Sequence, residues 1–155
     1  MAGAVAAATS QRAQGCAKDF WMTLPEPKTA SAAPEFVTIP ASETGVLTID
    51  LDAIAGNWRS LSEQVRPAEC GAVVKADAYG LGIARVLPAL VAAGCRSFFV
   101  ATPGEAAEAR ALEGSARIFV LDGLFPGAAD AVLGAGAIPC LASLAEVEEW
   151  SAHAR

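Results

Sequence analysis

Several features that mark common protein classes are scarce in this sequence of 155 residues. It has a single histidine, His153, close to the C-terminus, which nearly excludes a mechanism built on a histidine general base. Cations are few and scattered, with 11 Lys and Arg against 17 Asp and Glu, so there is no basic patch for nucleic-acid phosphates. No apolar run approaches the roughly 18 residues of a membrane-spanning helix. We therefore expect neither a nucleic-acid nor a membrane partner.

Cysteine is also sparse, and the spacing of the cysteines does not indicate a metal site. The four cysteines are far apart and form no Cys-x-x-Cys pair, which excludes a zinc site of the usual spacing. Three of them lie in or beside predicted strands, where we interpret them as small buried hydrophobic residues. Unpaired cysteines of this kind predict a reducing compartment and a cytoplasmic location.

The sequence divides at about residue 45. Residues 1–44 contain an alanine-rich run followed by four scattered prolines, and no helical or strand period survives there. We predict that residues 1–44 are a disordered N-terminal extension. A degenerate organelle-targeting segment is the alternative, because Arg12 and Lys18 precede the first acidic residue, Asp19.

Residues 45–155 carry a regular pattern. Residues 46–51 alternate and predict a strand, and Asp52 is the predicted N-cap of a helix that ends before Pro67. Short apolar strands then start near residues 73, 98, 118 and 138, and the helices between them end at three glycines, Gly94, Gly114 and Gly136.

This alternation predicts an α/β protein of parallel βα units, with both faces of the sheet covered. Repeats of about 20 to 25 residues suit a (β/α)8 TIM-type barrel better than a doubly wound sheet. Four units amount to about half of such a barrel, so we expect a partial barrel that is truncated before closure. The sequence leaves open whether the chain is a piece of a longer protein or closes by pairing with a partner.

The main chemical signal is Lys75, the only lysine after residue 28. It follows Val73 and Val74 in a strand that we predict to be buried on both faces. An unpaired ammonium group is expensive to bury, and a neutral lysine amine is the form that acts as a nucleophile or makes a Schiff base. The alternatives are a side chain that reaches solvent at the strand end, or an ion pair with Asp77.

The loop after Lys75 strengthens the chemical interpretation. Residues 76–82 contain Tyr79, Gly80 and Gly82 and precede a helix predicted to begin near Ile83. Glycines and a helix N-terminus favour anion binding through free backbone N–H groups, and the Tyr79 hydroxyl is a further donor. A dinucleotide-binding fingerprint competes with this interpretation, but Arg85 stands where its third glycine belongs.

Two further segments have less specific patterns. Residues 122–127 follow the third strand of the repeat and are interpreted as a plain turn, with lining of a substrate mouth as the alternative. Glu146, Glu148 and Glu149 are interpreted as the solvated face of the last helix.

Residues 73–82, which read Val-Val-Lys-Ala-Asp-Ala-Tyr-Gly-Leu-Gly, closely resemble the cofactor-attachment motif of the alanine racemases, pyridoxal-phosphate enzymes built on a (β/α)8 barrel. Residues 49–54 with Asn57 resemble the opening segment of that family. Residues 100–106 resemble its second strand and the acidic residue that opens the next helix. The resemblance runs from about residue 46 to the end of the sequence, and Leu81 departs from it where many members carry histidine.

The resemblance implies a function and its site residues. Lys75 would be catalytic, would bind pyridoxal 5'-phosphate as a Schiff base, and would act as the base on one face of the substrate Cα. Tyr79 would bind the cofactor phosphate. The activity would be an isomerase reaction between L- and D-alanine that supplies a peptidoglycan precursor. The full-length form would be a homodimer whose opposite-face base is a tyrosine from a C-terminal β domain, a residue with no match here, so we expect weak or no activity from this chain alone.

Three alternatives remain. The first is a related barrel enzyme, either a racemase for another small amino acid or a decarboxylase. A non-catalytic pyridoxal-phosphate carrier is a second class, because single-domain barrels of that kind exist. A vestigial product without activity is the third.

Overall fold

The computed structural model describes residues 45–153, and the predicted extension at residues 1–44 lies outside this range. Residues 49–153 belong to one compact unit. Its elements in chain order are α1 (Leu51–Gln64), β1 (Ala72–Val73), α2 (Lys75–Gly80), α3 (Ile83–Ala93), β2 (Ser97–Val100), α4 (Pro103–Leu112), β3 (Arg117–Val120), α5 (Ala129–Gly134), β4 (Ile138–Pro139) and α6 (Leu144–His153).

The start of the domain differs from the prediction. Residues 45–50 have no regular secondary structure, so the strand predicted at residues 46–51 is wrong. The N-cap of α1 is Asp50 rather than Asp52, since its Oδ1 accepts the N–H of Ala53 at 2.9 Å. This cap starts the helix at Leu51 and takes the end of the alternating pattern into α1. Leu47 is 76% exposed, so the apolar side chain in the first part of the pattern is not buried.

The four strands form one parallel sheet in the order β1-β2-β3-β4. Each strand lies next to the strand that follows it in the sequence, with helical segments between them. The prediction of an α/β fold made of parallel βα units, as in part of a TIM-type barrel, is therefore confirmed.

The helices pack in chain order, α1 on α3, α3 on α4, α4 on α5 and α5 on α6, and they cover one face of the sheet. Side chains on that face are fully buried, among them Phe98, Val100, Ile118 and Val120. The opposite face carries a row of four apolar residues in direct register, Val73, Phe99, Phe119 and Ile138. These four are only partly buried or exposed in the described part of the chain, so the prediction that both faces are covered is wrong there.

Helix ends follow the predicted glycines in two of three cases. Gly94 and Gly136 adopt positive φ angles of 112° and 58° after α3 and α5, as expected of glycines that terminate helices. Gly114 is not in this conformation, because α4 ends at Leu112 and its C-cap residue, Glu113, is already extended. None of the helices among residues 45–153 has the length and apolar character that a membrane crossing requires.

Candidate active site

Lys75 lies where β1 ends. The parallel pairing continues one residue beyond the strand, because the Val74 N–H donates to the Phe99 carbonyl at 2.8 Å, and Lys75 is the next residue. The backbone turns away at Val74, with φ −126° and ψ 19°. Lys75 is therefore half-buried at the carboxyl edge of the sheet rather than inside a strand buried on both faces. In barrels of parallel βα units, this edge is where catalytic groups are found.

The segment after Lys75 is a left-handed turn, by which we mean residues 76–79 of α2. Ala76, Asp77, Ala78 and Tyr79 all have φ between 52° and 58°. Each such residue loses roughly 1–2 kcal/mol relative to a right-handed conformation, because its Cβ crowds the following carbonyl oxygen. A costly backbone persists only where its surroundings enforce it, and such segments concentrate at functional sites.

Backbone hydrogen bonds close the left-handed turn at both ends. The Ala78 N–H donates to the Val74 carbonyl at 3.0 Å, which spans Lys75, and the Gly82 N–H donates to the Asp77 carbonyl at 3.0 Å. Gly82, at φ 90°, then leads the chain into α3. Tyr79, the last residue of the left-handed turn, lies four residues after Lys75.

Asp77 is part of this framework rather than a partner of Lys75. Its Oδ1 accepts the N–H of Ile83, the first residue of α3, at 2.6 Å. No ion pair joins it to Lys75 within residues 45–153. The prediction that the start of α3 offers free N–H groups to an anion is thus wrong for Ile83, because a carboxylate of this chain already occupies that N–H.

Glu105, in the first turn of α4, connects two βα loops. Its Oε1 accepts the N–H of Ala76 at 2.9 Å, and its Oε2 accepts the N–H of Ala101 at 2.7 Å. Ala76 directly follows Lys75, and Ala101 directly follows β2. One carboxylate therefore fixes the entrance of the left-handed turn relative to the end of the neighbouring strand.

Tyr79 is the only tyrosine of the chain. It is 46% exposed, and its hydroxyl makes no hydrogen bond within the described residues. Lys75 likewise has no ion-pair partner there. The segment thus offers a primary amine and a phenolic hydroxyl four residues apart, the first suited to nucleophilic attack on a carbonyl and the second to donation toward an anion.

The interpretation of the α6 glutamates as a solvated face is wrong for two of the three. Glu146 Oε2 accepts the N–H groups of Leu124 at 3.0 Å and Ala142 at 2.9 Å. Glu149 Oε1 accepts the N–H of Gly127 at 2.9 Å. Both hold the loop of residues 121–128 after β3, and the hydrogen bonds from Ala142 and Leu124 lower the pKa of Glu146 below its usual value.

The opposite edge of the sheet is occupied by a structural ion pair. Glu69 pairs with Arg117 and also accepts a hydrogen bond from the Ser97 hydroxyl at 2.8 Å. The hydrogen bond from Arg117 is the main cause that lowers the pKa of Glu69, and the hydrogen bond from Ser97 lowers it further.

Burial raises the pKa of the Cys95 thiol to about 11, which makes this cysteine a poor nucleophile. No cluster suited to a metal ion occurs among residues 45–153.

Sequence reasoning selected Lys75 and Tyr79, but it named Asp77 only as a possible ion-pair partner and Glu105 only as the acidic residue that opens a helix. A signal for one of them was present, because Thr102 and Glu105 have the spacing of a capping box. Thr102 Oγ1 accepts the Glu105 N–H at 3.3 Å, while the Glu105 side chain reaches one residue further back than the usual box, to Ala101. Its second contact, with Ala76, links residues 29 positions apart and has no local signal.

The fold and the site define a protein class, the α/β proteins of parallel βα units with a lysine at the carboxyl end of the first strand. The family model described as "Alanine racemase, N-terminal domain" matches residues 49–155. The chain therefore belongs to the alanine racemase family.

Individual relatives agree with this assignment. The chain is 50% identical to an alanine racemase of Methylobacterium nodulans over 119 residues, which are 77% of this chain and 32% of the relative. It is similar to the solved structure of the Bartonella henselae alanine racemase with covalently bound pyridoxal phosphate, with a TM-score of 0.64, 45% identity, and coverage of 67% of this chain and 29% of that one. The biosynthetic alanine racemase of Pseudomonas aeruginosa gives a TM-score of 0.62 at 35% identity, covering 69% and 30%. The chain thus spans about a third of the length of the curated relatives that it matches.

Proposed function

We propose that this chain carries the cofactor-binding lysine of a pyridoxal-phosphate-dependent alanine racemase, an isomerase that interconverts L- and D-alanine. The observation that carries the proposal is the left-handed turn at the end of β1, which begins directly after Lys75 and ends at Tyr79. The family membership supports it, as does the covalently bound pyridoxal phosphate of the B. henselae relative.

The side chains at this edge of the sheet fit the cofactor. Pyridoxal phosphate presents an aldehyde and a phosphate, and the site presents an amine and a hydroxyl without partners among residues 45–153. Lys75 would hold the aldehyde carbon, and Tyr79 would donate to a phosphate oxygen. The three N–H groups already taken by Asp77 and Glu105 are not available to the phosphate.

The bound cofactor supplies an electron sink that makes the proton on the substrate Cα removable near neutral pH. Lys75 Nζ, released as a free amine once the substrate amine takes its place on the aldehyde carbon, would remove that proton on one face and return it there. Racemisation also needs proton exchange on the opposite face, and we assign that role to none of the described residues. By donating a hydrogen bond to the phosphate, Tyr79 would keep the aldehyde carbon of the cofactor within reach of the Lys75 amine.

The further properties of the family extend the proposal. We assign alanine as substrate, a homodimeric full-length form, a cytoplasmic location and a role in supplying D-alanine for peptidoglycan. The buried, unpaired thiols of Cys70 and Cys95 support a reducing compartment. A domain boundary near residue 45 is supported by the family match, which starts at residue 49.

The test is chemical mapping of the modified lysine. The 155-residue chain is incubated with pyridoxal phosphate, reduced with borohydride and digested, and the modified peptide is identified by mass spectrometry. We expect one adduct, on Lys75, that is lost in Lys75→Ala and retained in the control variant Lys28→Ala. An adduct on Lys18 or Lys28, or none, contradicts the proposal.

The same reaction separates an amino-acid racemase from a non-catalytic carrier. Alanine added before borohydride competes with Lys75 for the cofactor and is expected to reduce labelling at concentrations where leucine does not. Equal effects of both amino acids would favour the carrier.

A further inference from the structure

Glu105 is the only carboxylate within residues 45–153 that contacts the backbone next to Lys75. It reaches across from the next βα unit, so the N–H of Ala76 depends on a residue 29 positions away. The other oxygen of the same carboxylate is held by the Ala101 N–H at the end of β2. Both carboxylate oxygens are therefore engaged by backbone, one at each of two neighbouring strand ends.

The bond to Ala76 lies where the backbone enters its strained conformation. Lys75 precedes five successive residues with positive φ, residues 76–80, and Ala76 is the first of them. Hydrogen bonds to an ionised carboxylate are about twice as strong as neutral ones. Asp77, inside the same segment, accepts the N–H of Ile83 beyond its end, so two carboxylates tie the left-handed turn to the neighbouring chain.

We propose that Glu105 is the positioning residue for Lys75. It fixes the entrance of the left-handed turn and thereby the direction in which the Lys75 amine leaves the sheet. This role rests on the proposed function, in which Lys75 is the reacting group. Glu105 touches neither substrate nor cofactor in it and acts only through the backbone of Ala76.

The chain contains a matched control for this role. Glu146 occupies the same position in α6 and also accepts two N–H groups, from Ala142 shortly after β4 and from Leu124 in the preceding loop. Ser143 caps its helix as Thr102 caps α4, at the same 3.3 Å from the glutamate N–H. The loop held by Glu146 contains no lysine and no left-handed run. Glu105→Gln thus changes a carboxylate next to Lys75, and Glu146→Gln makes the same chemical change at a site that has no lysine.

The first experiment uses the cofactor-free chain. Amide hydrogen exchange is measured for residues 75–82 and 121–128 in the wild type and both variants. We expect Glu105→Gln to accelerate exchange in residues 76–79 by about tenfold or more, since local opening controls exchange. Glu146→Gln should accelerate only residues 121–128. Equal exchange of residues 76–79 in the two variants overturns the proposal.

The second experiment measures the rate of borohydride-trapped labelling of Lys75 by pyridoxal phosphate. Glu105→Gln should slow labelling about tenfold, because misplaced reacting groups lose rates of this order, and Glu146→Gln should leave the rate within about twofold of the wild type. Equal rates in the two variants also overturn the proposal. If wild-type Lys75 is not labelled at all, the proposed function fails, and the exchange experiment still decides whether Glu105 fixes the turn.

A second variant removes the same hydrogen bond without touching Glu105. Incorporating lactic acid in place of Ala76 turns the peptide bond between Lys75 and residue 76 into an ester, which has no N–H donor. This ester chain should show the fast exchange at residues 77–79 and the slow labelling expected of Glu105→Gln. If Glu105→Gln does not fold, the ester chain alone tests the proposal. Exchange at residues 77–79 and a Lys75 labelling rate equal to those of the wild type would then overturn it.

Discussion

The indole Nε1 of Trp58 donates a hydrogen bond to the backbone carbonyl of Cys70 at 3.2 Å. Trp58 belongs to α1 and is 8% exposed, and Cys70 lies two residues before β1. The bond fixes the first helix to the approach of the strand that ends at Lys75. Trp58 is therefore a core residue of α1 that also supplies a polar anchor.

Replacing Trp58 by phenylalanine should lower the free energy of unfolding by about 1–3 kcal/mol, because a buried carbonyl loses its donor. Urea denaturation monitored by circular dichroism measures the change. Trp150→Phe is the matched control, since Trp150 is half-buried and its indole makes no hydrogen bond among residues 45–153. If Trp58→Phe lowers the free energy of unfolding no more than Trp150→Phe does, the loss comes from the smaller ring and not from the hydrogen bond to Cys70.

Tyr79→Phe should weaken the retention of pyridoxal phosphate by about 1.5–3 kcal/mol, or roughly 10- to 150-fold, the value of a hydrogen bond to a charged group. Equilibrium dialysis of the chain against the cofactor gives the ratio of dissociation constants. Unfolding should be unaffected, because the Tyr79 side chain is 46% exposed and its hydroxyl has no partner in the described residues. Unchanged retention would remove Tyr79 from the phosphate site.

An alanine-to-glycine substitution usually destabilises a fold, but in the left-handed turn we expect it not to. At Ala76, with φ 52° and ψ 51°, glycine relieves a Cβ clash of roughly 1–2 kcal/mol and loses about 0.5–1 kcal/mol of chain entropy. Ala76→Gly should therefore be neutral or stabilise the fold by up to about 1.5 kcal/mol.

The control for this prediction is Ala107→Gly, at an exposed position inside the right-handed helix α4, which should destabilise the fold by about 0.5–1 kcal/mol. Both variants are compared by urea denaturation. Equal destabilisation by the two glycines would show that residue 76 is not left-handed in solution.

The repeating part of the fold was predictable because its signals are local. Apolar runs at 97–100 and 117–120 and glycines at 94 and 136 mark strands and helix ends from the sequence alone. The position of Lys75 at the end of the first strand follows from the same pattern. The identity of the candidate lysine and tyrosine required only residue types in a short motif.

The missed features depend on contacts between distant residues. Nothing local requires Ala76 and Ala78 to be left-handed, since alanine favours right-handed helices; the turn is held by Glu105, which lies 29 residues beyond Ala76. The strand predicted at 46–51 failed for a related reason, because alternation without a pairing partner is weaker than the cap that Asp50 supplies to α1. In both places, a tertiary or capping interaction overrode the propensity of the segment.

Acid should expose the contribution of Glu146 to stability. Its hydrogen bonds to the N–H groups of Ala142 and Leu124 lower its pKa from the usual 4.5, so the folded state binds this proton less tightly than the unfolded state does. The stabilisation is complete above about pH 4.5 and is lost as the pH falls through the lowered folded-state pKa.

We therefore expect Glu146→Gln to lower the thermal midpoint at pH 7 and to approach the wild type as the pH falls below 4.5. Glu148→Gln is the control, because Glu148 is an exposed neighbour on α6 whose carboxylate accepts no hydrogen bond in the described residues, and it should leave the thermal midpoint at pH 7 close to that of the wild type. Differential scanning calorimetry across this range gives the midpoints. A Glu146→Gln deficit that stays constant down to the most acidic pH would mean that its carboxylate charge contributes nothing to holding the loop after β3.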